Sequence, residues 1–159
     1  MRRGKTGFAL DFALHNDGAT LSGQTMLDRE TINPVLRIEL FVRDLEKSQA
    51  FYVEALGFAV GRSTPGSYAA LVREGVTIGL NLVANLPQEH PVSIAPGERP
   101  GRGVEIVIAV RDPDAVFARA SASRWRIESP LILRSWGLKD FRMIDPDGYY
   151  IRVTGLSPA

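Results

Sequence analysis

The chain has 159 residues, 45% of them hydrophobic and 23% charged, which suits a single soluble globular domain with its own core. Its 19 Lys and Arg are balanced by 18 Asp and Glu, interspersed along the chain, so nucleic acid is not an expected partner. It has no cysteine, which excludes disulfides, thiolate metal sites and cysteine nucleophiles. No stretch approaches the roughly 20 apolar residues of a membrane helix, so no membrane partner is expected either. The start, Met1-Arg2-Arg3-Gly4-Lys5, leads into a short apolar patch from Phe8 to Leu14 that contains Asp11. That patch is too short and too polar for a signal-peptide core, and a cytoplasmic location is expected.

Residues 1–33 read as a flexible N-terminal arm, because His15 to Gln24 is rich in Gly, Ser, Thr and Asn and has no period. From Leu36 to Arg43 the pattern alternates. Ile38, Leu40 and Val42 lie on one face and Arg37, Glu39, Phe41 and Arg43 on the other, which predicts a strand. Asp44 stands where a helix N-cap belongs, and segment 45–56 puts Leu45, Phe51, Tyr52, Ala55 and Leu56 near one helical face. Gly57 suits the C-cap. Strands are expected over Ala59–Arg62, Tyr68–Arg73 and Val76–Val83, the last two joined by a tight turn at Glu74-Gly75. Residues 84–103, with Pro87, Pro91, Pro96 and Pro100 and with Gly97, Gly101 and Gly103, read as a linker.

The same order then begins again. Val104, Ile106, Ile108 and Val110 alternate with Glu105, Val107, Ala109 and Arg111. Asp112 caps a second helix that has Pro113 at its first position and is expected to run to about Arg124. Strands are expected near 126–128, 130–135, 140–145 and 149–154, with Asp145-Pro146-Asp147-Gly148 read as turn chemistry joining the last two. Arg37 and Asp44 each recur at an offset of 68, as Glu105 and Asp112, and Gly75 matches Gly148 at an offset of 73. This internal repeat predicts an α+β fold of two tandem βαβββ modules, 34–83 and 104–156, forming a curved mixed sheet with a cavity. Phe51 and Tyr52 are expected to pack on the sheet, and Trp125 to join the core.

The stretch from Ile38 to Ser48, followed by Phe51-Tyr52 and Leu56-Gly57-Phe58, resembles the opening of a vicinal-oxygen-chelate protein. Trp136-Gly137, Asp140-Phe141-Arg142 and Asp145-Pro146-Asp147-Gly148 resemble its close. The resemblance covers about 34–156, within the superfamily of glyoxalases, bleomycin-resistance proteins and dioxygenases, and is nearest to the bleomycin-resistance branch. It implies a small-molecule ligand and a homodimer.

The enzymes of that superfamily hold a divalent metal with His, Gln or Glu at four strand positions, where this chain carries Arg37, Gly79, Glu105 and Arg152. Arginine stays protonated and offers no lone pair, so only Glu105 could ligate, and neither a metal nor another cofactor is expected. The histidines, His15 and His90, fall in the arm and the linker. Arg37, Glu105 and Arg152 are expected to converge. They would form either an ionic plug or a site in which one arginine binds an anionic or carbonyl group.

The residues expected to touch a ligand are Arg37, Glu39, Phe41, Val107, Trp136, Tyr150 and Arg152, with Ala109 on the same face. Phe41 and Tyr150 suit stacking on a flat molecule, and Trp136 suits either a cavity wall or a dimer seam. The function expected is a metal-free small-molecule binding protein, an antibiotic being one candidate ligand. Inward arginines favour a neutral or acidic aromatic ligand over a cationic one such as bleomycin. The alternatives are a glyoxalase- or dioxygenase-like lyase or isomerase enzyme with Glu105 as its base, or a fold copy that has lost its site.

Overall fold

A computed structural model describes residues 36–156, and the arm expected over 1–33 lies outside the described residues. The first half is β1 (Ile38–Val42), α1 (Leu45–Leu56), β2 (Ala59–Thr64), β3 (Tyr68–Arg73) and β4 (Val76–Leu82). The second is β5 (Glu105–Val110), α2 (Pro113–Ala122), β6 (Ile127–Leu133), β7 (Lys139–Ile144) and β8 (Tyr150–Gly155). Each half folds into a four-stranded mixed sheet, in the orders β1-β4-β3-β2 and β5-β8-β7-β6. In each sheet the first strand runs parallel to the last and the other pairings are antiparallel. The fold is thus α+β, a doubled βαβββ unit as the internal repeat predicts. Its two sheets are not closed into one another.

Local chemistry sets these boundaries. The Asp44 carboxylate accepts from the Lys47 N–H at 2.9 Å, and Asp112 does the same for Ala115 at 2.9 Å. Each satisfies one of the amide groups left unpaired at a helix start. Gly57, at φ 72°, ends α1, with the Phe58 N–H reaching back to the Tyr52 carbonyl at 3.1 Å. The Arg73 guanidinium donates to the Leu56 carbonyl at the same terminus, where a cation is favoured. Glu74 and Gly75 both take positive φ (45° and 84°), as a two-residue hairpin turn of the primed type requires.

Two expectations are corrected. The second helix stops at Ala122, where the Ser123 hydroxyl accepts from the Trp125 N–H and turns the chain away. The two short strands expected at 126–128 and 130–135 are one strand, β6. Pro130, which cannot donate to a ladder, sits on this edge strand where its register against β7 is irregular. The segment between the halves makes a short helical turn at Val83–Asn85 and then docks, with Pro100 buried and Arg99 Nε donating to the Gly148 carbonyl at 2.6 Å.

One hydrophobic core runs through both halves. Leu40 and Val42, Leu71, Ile78 and Leu80 face α1, which buries Phe51, Tyr52, Ala55 and Leu56. Ile106, Ile108, Val110, Phe141, Met143, Ile151 and Val153 face α2, which buries Val116 and Ala120. Each large side chain among these contributes about 1.5–3 kcal/mol by leaving water. The halves meet where Trp125 stands edge-on to Phe51, 5.5 Å between ring centroids, with its Nε1 donating to Glu54 at 2.9 Å.

The turn read as mere turn chemistry also fastens the halves together. Asp145 Oδ1 accepts from the N–H groups of Asp147, Gly148 and Tyr149 at 2.8–3.0 Å, and its Oδ2 accepts from the Tyr52 hydroxyl of α1 at 3.1 Å. Asp147 accepts from the Arg43 N–H and the Ser48 hydroxyl, both at 2.9 Å. The Tyr149 hydroxyl accepts from the Phe41 N–H at 3.3 Å and donates to the Phe41 carbonyl at 3.2 Å, which satisfies backbone groups on the free edge of β1.

Candidate functional site

The faces of the two sheets turned away from the helices carry the candidate site. Strand alternation puts Arg37, Glu39 and Phe41 of the first half there, with Tyr68 and Ala70 from β3 and Gly79 and Asn81 from β4. Gly79 lies opposite Glu39, and a Cβ at position 79 would collide with the Glu39 carboxylate, which occupies that space. Glu39 is held there by the Asn81 amide at 2.7 Å and by an ion pair with Arg37, whose guanidinium sits 5.8 Å from the centre of the Tyr68 ring. Phe41 meets the linker, its ring 6.3 Å from that of His90.

The second sheet is built differently. On its open face lie Glu105, Val107 and Ala109 of β5, Asp140 and Arg142 of β7, and Tyr150, Arg152 and Thr154 of β8. Glu105 stands 3.6 Å from Arg142 and 3.6 Å from Arg152. It is therefore a carboxylate between two arginines, but not between Arg37 and Arg152, the pair expected from the sequence. The second arginine is Arg142, whereas Arg37 pairs with Glu39 instead. Asp140 is fully buried, and one of its oxygens holds both Arg134 and Arg142 at 2.7 Å. Its Oδ2, together with Arg152 Nε, has no hydrogen-bond partner among the described residues although both atoms are buried.

Between the edge strands β1 and β5 runs a cleft of about 450 Å³ lined by Ile38, Glu39, Leu40, Glu105, Val107 and Tyr149, among others. It brings Glu39, Glu105 and Val107 to one place. A shallower depression beside it joins Glu105 and Tyr150 to Arg99 and Arg102 of the linker. Trp136 stands apart: it occupies the tip of the β6–β7 hairpin, 56% exposed, in a turn closed by the Gly137 N–H donating to the Arg134 carbonyl at 2.9 Å.

Sequence reasoning named Arg152 and Glu105 but left out Asp140 and Arg142 as site residues. The signal was present, because Asp140 and Arg142 alternate with the apolar Phe141 and Met143 and so share the face of Arg152. It could not be read without the β7–β8 register, which sets Arg142 directly opposite Arg152.

At the joint behind the cleft, burial pushes the Asp145 carboxyl up to about 6, the donated hydrogen bonds of Tyr149, Tyr52 and Gly148 only partly opposing it. Burial likewise raises the Tyr149 hydroxyl, and it raises Tyr52 well above its ordinary range, with the neighbouring Asp145 charge adding to the shift.

A resident divalent cation does not fit this donor set. The positions in question carry two arginines, a glycine covered by Glu39, and Glu105, whose oxygens already face Arg142 and Arg152. Among the described residues no three His, Cys, Asp or Glu side chains gather as a metal ion would require.

The fold has known counterparts. The chain is similar in structure to TioX from Micromonospora sp. ML1, at 24% identity over 77% of this chain and 98% of that one, with a TM-score of 0.64. A glyoxalase/bleomycin resistance protein/dioxygenase from Nocardioides is similar at 23% identity over 77% of this chain and 83% of that one, TM-score 0.61. Lactoylglutathione lyase from Agrobacterium tumefaciens is similar at 17% identity over 77% and 92%, TM-score 0.59. Likeness at these identities speaks for the fold. No curated protein matches the chain. Residues 32–153 match the family described as the Glyoxalase/Bleomycin resistance protein/Dioxygenase superfamily, and the chain belongs to it.

Proposed function

We propose that this protein binds a small organic molecule on the open faces of its sheets and does so without a metal, as members of the bleomycin-resistance branch would. The observation that carries the reading is the ionic cluster Arg142–Glu105–Arg152, in which Glu105, the one residue of the four expected ligand positions able to hold a metal, faces two arginines. Arg37, Glu39, Phe41, Val107, Tyr150 and Arg152 are its contact residues, with apolar area from Val107 and the rings and polar selection from the arginines. An antibiotic with a flat, neutral or acidic body suits such a surface better than a cationic one. No helix among the described residues is long and apolar enough to cross a membrane, which fits the cytoplasmic role that we assign.

The protein works as a homodimer in this reading. Exposed Leu133 and Trp136, 68% and 56% accessible at one hairpin, support it, because adjacent exposed apolar side chains of this size mark contact surfaces. Trp136 then serves as a wall over the partner's open face.

Native mass spectrometry of the full chain, before and after incubation with zinc, manganese or iron, tests the reading. A dimer mass free of stoichiometric metal is expected. A tightly held metal would overturn it and return the protein to glyoxalase-type chemistry.

One feature favours a second reading, an isomerase- or lyase-like enzyme. Glu105 is the one carboxylate on the open face of β5, with Arg142 and Arg152 beside it to stabilise an oxyanion. Turnover of a carbonyl substrate that disappears in Glu105→Gln while ligand binding persists would establish it.

A further inference from the structure

The cleft between β1 and β5 and the depression beside it have different walls. Leu36, Val104 and Val107 are 86%, 57% and 45% exposed, and all three line the cleft. Ile38, Leu40 and Ile106 continue that wall inward. Apolar area gathered in a concavity and left open to water marks a surface that binds. The depression shares Gly101, Val104 and Glu105 with the cleft, so the two adjoin. Its remaining wall is polar and includes Arg99, Arg102 and Tyr150.

The charge of the depression is unbalanced. Glu105 already faces Arg142 and Arg152. Arg99 and Arg102 have no ion-pair partner among the described residues. Arg99 is also held in place. Its stem lies across Gly148, where a Cβ would come within 2.6 Å of the Arg99 Cγ, and its Nε donates to the Gly148 carbonyl at 2.6 Å. The two terminal amino groups of this guanidinium have no hydrogen-bond partner among the described residues. A guanidinium tied by its Nε presents those two donors side by side, which suits the two oxygens of a carboxylate. The opposite end of the cleft, past Gly101 and Tyr149, has the other sign: its charged walls are Glu39 and Glu98. An anion is therefore directed to the arginine end.

We infer that the ligand is an organic acid with a flat apolar body, the body lying in the cleft against Val104, Val107 and Tyr149 and the carboxylate held in the depression by Arg99 and Arg102. The seat of the acid is then on the linker. The strand arginines Arg37, Arg142 and Arg152 each face a carboxylate of the protein already. The inference rests on the binding reading above and names the chemistry of its ligand.

Three probes separate its parts: naphthoate carries the body and the acid, benzoate shortens the body, and naphthamide removes the charge. Titration of the full-length protein, followed by its methyl signals in NMR, is expected to give naphthoate the tightest binding. Benzoate and naphthamide should each bind about tenfold more weakly. The Val104 and Val107 methyl signals should move and those of Leu133, at the β6–β7 hairpin, should stay. Arg102→Gln should lose part of the preference of acid over amide, and Arg99→Gln combined with Arg102→Gln should lose all of it. Arg62→Gln, on the exposed β2, should change nothing. Equal binding of naphthoate and naphthamide, an acid preference that survives the double substitution, or shifts confined to Leu133 would overturn the inference while leaving the protein a small-molecule binder. Val104 and Val107 signals that move with protein concentration alone would also overturn it, because a second copy would then cover the cleft. So would failure of all three probes to bind. Stoichiometric metal in the same preparation would instead remove the binding reading beneath it.

Discussion

The first and second sheets have the same topology and the same pairing of a parallel edge with an antiparallel remainder, yet their open faces diverge. At one pair of equivalent positions the first sheet has Gly79 and the second has Arg152. Where the first has room, its own Glu39 folds across the gap toward Asn81. Where the second has an arginine, it recruits Glu105 and places charge beside charge down to the buried Asp140. Duplicating a βαβββ unit fixes backbone and core, because the helix-facing positions must stay apolar in both copies to fill one interior. The other face owes nothing to that core and is free to carry a half-exposed ion pair beside a glycine in one copy and a more deeply buried ionic cluster in the other.

That contrast is open to direct attack. The largest effect is expected from Asp140→Ala, which strands Arg134 and Arg142 in the interior and should cost about 3–5 kcal/mol in urea unfolding. Loss of less than 1 kcal/mol would mean that the cluster is solvated and the two faces are alike in kind.

Next comes the joint between the halves. With the Asp145 carboxyl held at about 6 against its ordinary 3.8, the folded state keeps a proton that the unfolded chain releases. Stability from this group is therefore full below the unfolded value and is lost as pH rises from about 4 through 6. The loss amounts to about 3 kcal/mol at roughly 1.4 kcal/mol per pH unit. Measured against Asp145→Asn, which cannot titrate, the wild type should lose most of that amount, about 2.5 kcal/mol, between pH 4 and pH 7. A constant difference across the range would show that the four donated hydrogen bonds hold the ionised form after all.

Ser48→Ala removes the buried hydroxyl donor to Asp147 and should cost about 1–2 kcal/mol in the same measurement. The smallest effect is expected on the first sheet's face. Glu39→Ala breaks a half-exposed ion pair and should change stability by less than about 1 kcal/mol. A cost comparable to that of Asp140→Ala would erase the distinction between the sheets.

Much of the fold was legible because the signals were local. Alternation at 36–43 and 104–111 gave the first strand of each copy. Asp44 and Asp112 gave helix starts that the structure places at those residues, and Glu74-Gly75 gave its hairpin. The misread elements are those whose form depends on partners. Two strands are expected from the sequence, at 126–128 and 130–135, where β6 is one, and an edge strand tolerates Pro130 within it because one side of its backbone pairs with nothing. Sequence also did not show that the proline-rich linker docks, with Gly101 letting the chain lie against the Tyr149 ring, where a Cβ would collide.

The sequence by itself determined the doubled βαβββ fold and the caps that bound its helices, since period and cap chemistry are properties of residues in order. The tertiary structure decided which charges meet. Glu105 faces Arg142 instead of Arg37, Asp140 is the buried acid beneath them, and Asp145 and Asp147 bind one half to the other. Those pairings join residues tens of positions apart, and only strand register and the packing of one module on its copy bring them within reach.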